Sequence, residues 1–184
     1  METSRNDTVE RILDVAEGRM RSGGYAAVSF RDIAADVGIK SASVHYHFPQ
    51  KADLGEAVVR RYAARLADFL GRPDDPAETP SARLARLCSA YRHALLQEGK
   101  TCLCCVLGAE LQDLPEGVAA AVRAFFEAVL GWLQLALAEA GPAAPPPALV
   151  VSALQGAMIV AGATGERRHF EAVSQGLQAG LRRP

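Results

Sequence analysis

Apolar residues recur at intervals of three and four along nearly the whole 184-residue chain, the spacing that lines one face of an α-helix. Val9, Ile12, Leu13, Ala16 and Met20 predict a helix over residues 7–22, with Asp7 and Glu10 placed to cap its start and Gly23-Gly24 to stop it. Phe30, Ile33, Ala34 and Val37 fall on one face of a second, shorter helix. Ser29 is a good N-cap for it, Asp32 stands at the capping-box position, and Gly38 sits where a helix stop needs a left-handed residue. Ile39 can plug the corner. A third helix is expected from Lys40 or Ser41, with Val44 and Phe48 inward and Pro49 ending it. From Lys51 a fourth helix carries Leu54, Val58, Tyr62, Leu66 and Phe69 on one stripe, to Gly71-Arg72-Pro73.

The Pro- and Asp-rich stretch Arg72 to Pro80 reads as a boundary, giving expected domains of 1–72 and 73–184. Beyond it every periodic segment is again helical. Ser81 is the expected cap of a helix with Leu84, Leu87, Cys88, Tyr91 and Leu95 inward, ending near Gly99; Thr101 to Leu111 is short and apolar. Pro115, at a favoured first helical position, opens a long helix to Ala140 with Val118, Val122, Phe125, Phe126, Val129, Leu133 and Leu137 on its stripe. After Gly141-Pro142 and a proline linker, two more helices are expected. Residues 148–162 carry Val151, Leu154, Met158 and Ala161, and residues 166–181 carry Phe170, Val173, Leu177 and Leu181. No strand pattern and no repeat is visible, so the fold class is all-α.

The densest information lies in Ser29 to Lys51, SFRDIAADVGIKSASVHYHFPQK. Helix, glycine turn, helix is the plan of a helix-turn-helix, whose second helix enters the DNA major groove. The outward residues of that helix, Lys40, Ser41, Ala42, Ser43, His45 and Tyr46, are cationic, hydrogen-bonding or small, suited to phosphates and base edges. A solvated polar face has the same composition.

The string GIKSASVHYHFPQKADL resembles the DNA-binding signature of the TetR/AcrR family of bacterial regulators, through Gly38, Ile39, Val44, Tyr46, His47, Phe48 and Lys51, preceded by Phe30-Arg31-Asp32-Ile33-Ala34. His45 stands where the family commonly has a phosphate-contacting Tyr. The resemblance covers about residues 8 to 70 closely and the remainder only in helical order. It implies an N-terminal three-helix head, a C-terminal helical domain for effector binding and dimerisation, and double-stranded operator DNA as partner; together with the outward face of the recognition helix and local charge, it gives Arg31, Lys40, Ser41, Ala42, Ser43, His45, Tyr46 and Lys51 as the expected DNA contacts. Lys51 also has a physical argument: a lysine at a helix start opposes the helix dipole, so stability alone would not choose it.

Composition narrows the picture. Half the residues are hydrophobic, as in a globular protein, and the polar N-terminus METSRNDTVER shows no secretory signal. Uninterrupted apolar runs are shorter than a membrane span, and four cysteines without a signal suggest a reducing cytoplasm. Net charge is −1, with about 11 basic against 10 acidic residues up to Arg72. Bulk charge is therefore no argument for nucleic acid; motif and local charge carry that case. Phosphate loops and the common hydrolase and metalloprotease motifs are missing, so no catalytic residue, metal site, cofactor or enzymatic activity is expected.

Gly156, Gly162, Gly176 and Gly180 lie in the last two helices, where small residues allow close helix approach. The resemblance assigns these helices to a homodimer interface, the two-fold symmetry that palindromic DNA requires. A small, apolar effector is expected among Tyr91, Cys102, Leu103, Cys105, Phe125, Trp132 and Met158. Cys102, Cys104 and Cys105 leave a second reading open, a thiol-based redox or metal-responsive protein; as small buried hydrophobes they need have no such role. The two readings are therefore an effector-released repressor and a thiol sensor.

Overall fold

The computed structural model describes the backbone of residues 2–181 and the side chains of residues 7–142 and 144–181. Residues 1 and 182–184, the outer ends of the two expected domains, lie outside the described residues. Among the described residues there are nine α-helices and no strand: α1 (Glu2–Gly23), α2 (Phe30–Val37), α3 (Ser41–His47), α4 (Lys51–Leu70), α5 (Pro80–Leu96), α6 (Leu103–Ala109), α7 (Glu116–Ala136), α8 (Pro147–Thr164) and α9 (Arg168–Gly180). Short 3-10 turns occupy Tyr25–Ala27, Leu111–Asp113 and Ala138–Ala143. The chain is all-α, as its periodicity requires.

Packing separates two compact units, Met1–Ala63 with Leu103–Phe125, and Ala64–Cys102 with Phe126–Pro184. The stretch after α4 is non-helical, as its prolines dictate, but compactness does not follow chain order there. Residues 103–125 belong with the N-terminal unit.

In the first unit Ile12, Leu13, Ala16 and Met20 of α1, Phe30, Ile33, Ala34 and Val37 of α2, Val44 and Phe48, and Leu54 and Val58 of α4 are all buried. Polar ties fix the frame. Arg11 donates to the carbonyl of Val37 at the end of α2, and Arg19 pairs with Asp36 at 2.7 Å. Arg61 of α4 reaches Glu10 at 2.8 Å, Asp14 at 2.7 Å and Glu17 at 3.4 Å on α1. Burial disfavours the Arg61 cation, but hydrogen bonds to Glu10 and Asp14 and the charges of Asp14 and Glu17 outweigh it and hold its pKa above the ordinary value. Helix α1 begins before the expected cap: Asp7 and Glu10 lie inside it. The apolar stripe marks where burial starts, and the polar residues ahead of it contain no helix breaker.

The second unit packs α5, α8 and α9 together, burying Leu84, Leu87, Cys88 and Tyr91 with Val150, Val151, Leu154, Met158 and Phe170. The cap of α5 is Thr79, whose hydroxyl accepts from the Ala82 N–H at 3.2 Å, with Pro80 opening the helix. Ser81, the expected cap, is already inside, because proline at a first position lacks the N–H that would go unpaired there. Helix α7 stops at Ala136 rather than Ala140, passing into a 3-10 turn broken by Gly141 at φ 70°. Phe69, expected inward, is 53 % exposed. In α9 only Phe170 and Ser174 are buried, so the expected Val173, Leu177 and Leu181 stripe is half-covered.

Arg83 is the residue sequence reasoning least anticipated here. It is 1 % exposed and donates to the carbonyls of Ala136 and Asp75. Arg86 donates to Leu70 O at 2.8 Å and Trp132 Nε1 to Gly71 O at 2.8 Å. The terminal carbonyls of α4 and α7, which helices leave without internal partners, are thus satisfied by side chains.

Helices α7 and α8 are long and apolar enough, by length and composition, to cross a membrane, which counting uninterrupted apolar runs did not register. Helix α7 still carries Glu116, Arg123 and Glu127 off its buried stripe, the pattern of a core helix with one wet side.

Candidate nucleic-acid interface

The local chemistry of Ser29 to Pro49 builds the motif. Ser29 is extended (φ −133°, ψ 147°); its hydroxyl accepts from the Asp32 N–H at 3.1 Å and donates to the Asp32 carboxylate at 2.6 Å. Gly38 is left-handed at φ 75°, ψ 36°, and the Ile39 N–H returns to Ala34 O at 2.9 Å. This is a Schellman closure that needs the glycine. Lys40 is the extended N-cap of α3. At the far end the Phe48 N–H bonds Val44 O at 2.9 Å, and Phe48, preceding proline, turns extended.

Burying Val44 and Phe48 presents the opposite side of α3 outward. Lys40, Ser41, Ala42, His45 and Tyr46 are exposed, Tyr46 by 67 %. Lys40, Ala42, Ser43 and Tyr46 line one hollow of about 380 Å³ together with Ile39, His47 and Thr8 of α1. Thr8 was missed from sequence because nothing local to it points to α3; only the packing of α1 brings it there. Arg31 is exposed on α2, outside the hollow's lining. The His45 ring stands edge-on to Phe30 at 4.5 Å, and Tyr46 to His47 at 5.1 Å, so His45 is steered by a core aromatic while its edge stays accessible.

Lys51 lies at the first residue of α4, whose start is capped by Asp53 accepting the Gln50 N–H at 2.9 Å. Its ammonium sits 4.3 Å from the centre of the Tyr25 ring. Partial burial lowers the Lys51 pKa, and burial together with the charge of Asp53 raises that of the Tyr25 hydroxyl.

The residues named for an effector fall into both units. In the second, Gln155 of α8 is a buried polar side chain that sequence reading passed over. Its amide donates to the Tyr91 hydroxyl at 3.3 Å and reaches Cys102 Sγ at 4.0 Å, and Met158 is fully buried one turn away. Trp132 spends its indole N–H on Gly71. In the first unit Leu103 is buried, Cys105 is half-buried and Phe125 packs against Tyr62 at 5.8 Å. Cys88, Cys102 and Cys104 are buried. Burial pushes the Cys88 thiol up against the opposing hydrogen bonds of Ser174 and Gln178. Among the described residues no cluster of three or more His, Cys, Asp or Glu could hold a metal ion.

A buried two-helix corner with an exposed polar second helix, carried by an all-helical chain, defines a helix-turn-helix DNA-binding regulator. The family model of bacterial regulatory proteins, tetR family, matches residues 12–58. A TetR transcriptional regulator from Legionella pneumophila is 30 % identical, with TM-score 0.84 over 92 % of this chain and 95 % of that one. A TetR-family regulator from Agrobacterium tumefaciens is 28 % identical, with TM-score 0.85 over 95 % and 97 %. The regulatory protein TetR from Rhodobacter sphaeroides shares the fold at 21 % identity and TM-score 0.78, over 93 % and 97 %. Comparison with curated proteins gives no match. The chain belongs to the TetR family of transcriptional regulators.

Proposed function

We propose that the protein is a cytoplasmic, effector-released repressor that binds palindromic operator DNA as a homodimer. The observation that carries this reading is the outward face of α3, where Lys40, Ser41, Ala42, Ser43, His45 and Tyr46 stand on a helix held by buried Val44 and Phe48. Arg31 and Lys51 supply flanking cations for phosphates. Sequence is read by the first residues of such a helix, and the phosphate contacts orient it.

Helix α8 supports the dimer. Among its 18 residues there is no Asp, Glu, Lys or Arg, yet Leu149, Ile159 and Val160 are 54 %, 54 % and 47 % exposed. A Cβ added at Gly156, Gly162, Gly176 or Gly180 would meet no described atom within 4 Å beyond its own stretch of helix. Close approach within one chain is therefore not what these glycines serve, and a second copy laid on α8 and α9 would use both features. The effector is a small molecule, largely apolar, with one hydrogen-bonding group for Gln155 and Tyr91 in the second unit. It releases DNA only by binding the non-DNA-competent spacing of the two heads more tightly.

A mobility-shift titration with DNA from upstream of the protein's own coding region tests this. Retarded complexes at concentrations where the protein sediments as a dimer are expected. Absence of any shift at low salt would overturn the reading.

A further inference from the structure

The turn between α1 and α2 is held from far along the chain. Glu110, which follows α6, accepts the Tyr25 N–H at 3.0 Å. A Cβ at Gly24 would overlap that same carboxylate and push it aside, and Gly24 is at φ 74°, a backbone conformation that favours glycine. Tyr25 in turn lies against α4. A Cβ at Gly55 would come within 2.9 Å of the Tyr25 ring on one side and 2.9 Å of Val118 on the other. On the ring face sits the Lys51 ammonium, at 4.3 Å, a contact that offsets the unfavourable helix-start position of the lysine. All of these residues lie in the first compact unit.

We propose that Glu110 is a positioning residue for DNA binding: by fixing Tyr25 it fixes the ring on which Lys51 is presented to a phosphate. The inference rests on the DNA-binding reading above. It assigns the segment after α6 a part in the head's affinity that no residue of the helix-turn-helix itself would indicate. A merely structural Glu110 would lower stability and would not act through Lys51.

A double-mutant cycle separates the two. Full-length protein is titrated against a labelled random-sequence duplex at salt from roughly 50 to 200 mM. Lys51→Ala is expected to weaken binding and to flatten the salt slope by about 0.9 per head. Glu110→Ala is expected to cost about two- to fivefold per head, the range of a partly exposed cation–π contact. Glu110→Gln, whose amide oxygen still accepts the Tyr25 N–H, should bind like the wild type. In the Lys51→Ala background Glu110→Ala should cost almost nothing. If Glu110→Ala does not fold, Glu110→Asp takes its place in the cycle, since its carboxylate keeps the charge but falls one methylene short of the Tyr25 N–H. Equal losses in both backgrounds, or no loss in either, would overturn the inference and leave the DNA-binding reading standing. A wild-type protein that binds no duplex at any salt would overturn both.

Discussion

Ser29 uses one hydroxyl twice, accepting from the Asp32 N–H and donating to the Asp32 carboxylate, so the start of α2 is fixed by two residues three apart. Ser29→Ala is expected to destabilise the protein by about 1 kcal/mol, read as a shift in urea midpoint at constant slope. Devices of this kind are legible in sequence because their partners are neighbours. Glu110 and Tyr25 are 85 positions apart, and Gln155 meets Tyr91 across 64; no periodicity reports such pairs. Arg83 was equally hidden, since its neighbours in the helix look no different from those of a surface arginine. The thiols can be ordered from burial and charge. Cys88 is buried with its thiol pushed up, Cys102 and Cys104 are buried, and Cys105 is half-buried. An aromatic disulfide reagent at neutral pH should therefore modify Cys105 first and Cys88 at least about tenfold more slowly, with all four reacting in denaturant. Equal rates in the native protein would count against this packing.

At the scale of elements, the motif's corner is set by one backbone conformation. A Cβ at Gly38 would meet no described atom within 4 Å, so the cost of replacing it is the left-handed backbone alone. Gly38→Asn should be tolerated better than Gly38→Val, the latter losing about 1–2 kcal/mol or more in thermal or denaturant unfolding. Indistinguishable stabilities would mean that the corner relaxes. Helix existence and order follow from the apolar period; helix ends do not. The start of α1 lies ahead of its apolar stripe because a stripe marks burial and a helix can extend beyond it. At the start of α5 Thr79 and Ser81 are equally good caps by type, and Pro80 between them decides for Thr79. The outward position of Phe69 was not legible because a stripe says which residues share a face, and the neighbouring elements decide how far along that face they are covered.

For the whole molecule the sequence shows helices in order, while which of them pack together emerges only from the fold. Residues 103–125 join the N-terminal unit although the prolines after α4 invite a single linear boundary. The uncharged α8 has the opposite character, visible in sequence yet explained only by its exposure in the single chain. Placing a charge on this proposed dimer face, as in Val160→Glu, should raise the dimer dissociation constant by at least about tenfold, since a carboxylate buried unpaired between two copies costs several kcal/mol. Sedimentation at several concentrations reads this out, and an unchanged dimer would move the interface elsewhere. In the proposed dimer two copies of α3 read DNA across a two-fold axis. Selection of bound duplexes from a random pool by the full-length protein tests it most directly. An enriched palindrome is expected, its half-sites centred about one helical turn apart, roughly 34–36 Å, or a multiple of it, with both arms changing together when Ser41, Ala42 and Ser43 are exchanged. A pool that stays random, or that yields a single half-site without its symmetry mate, would contradict it.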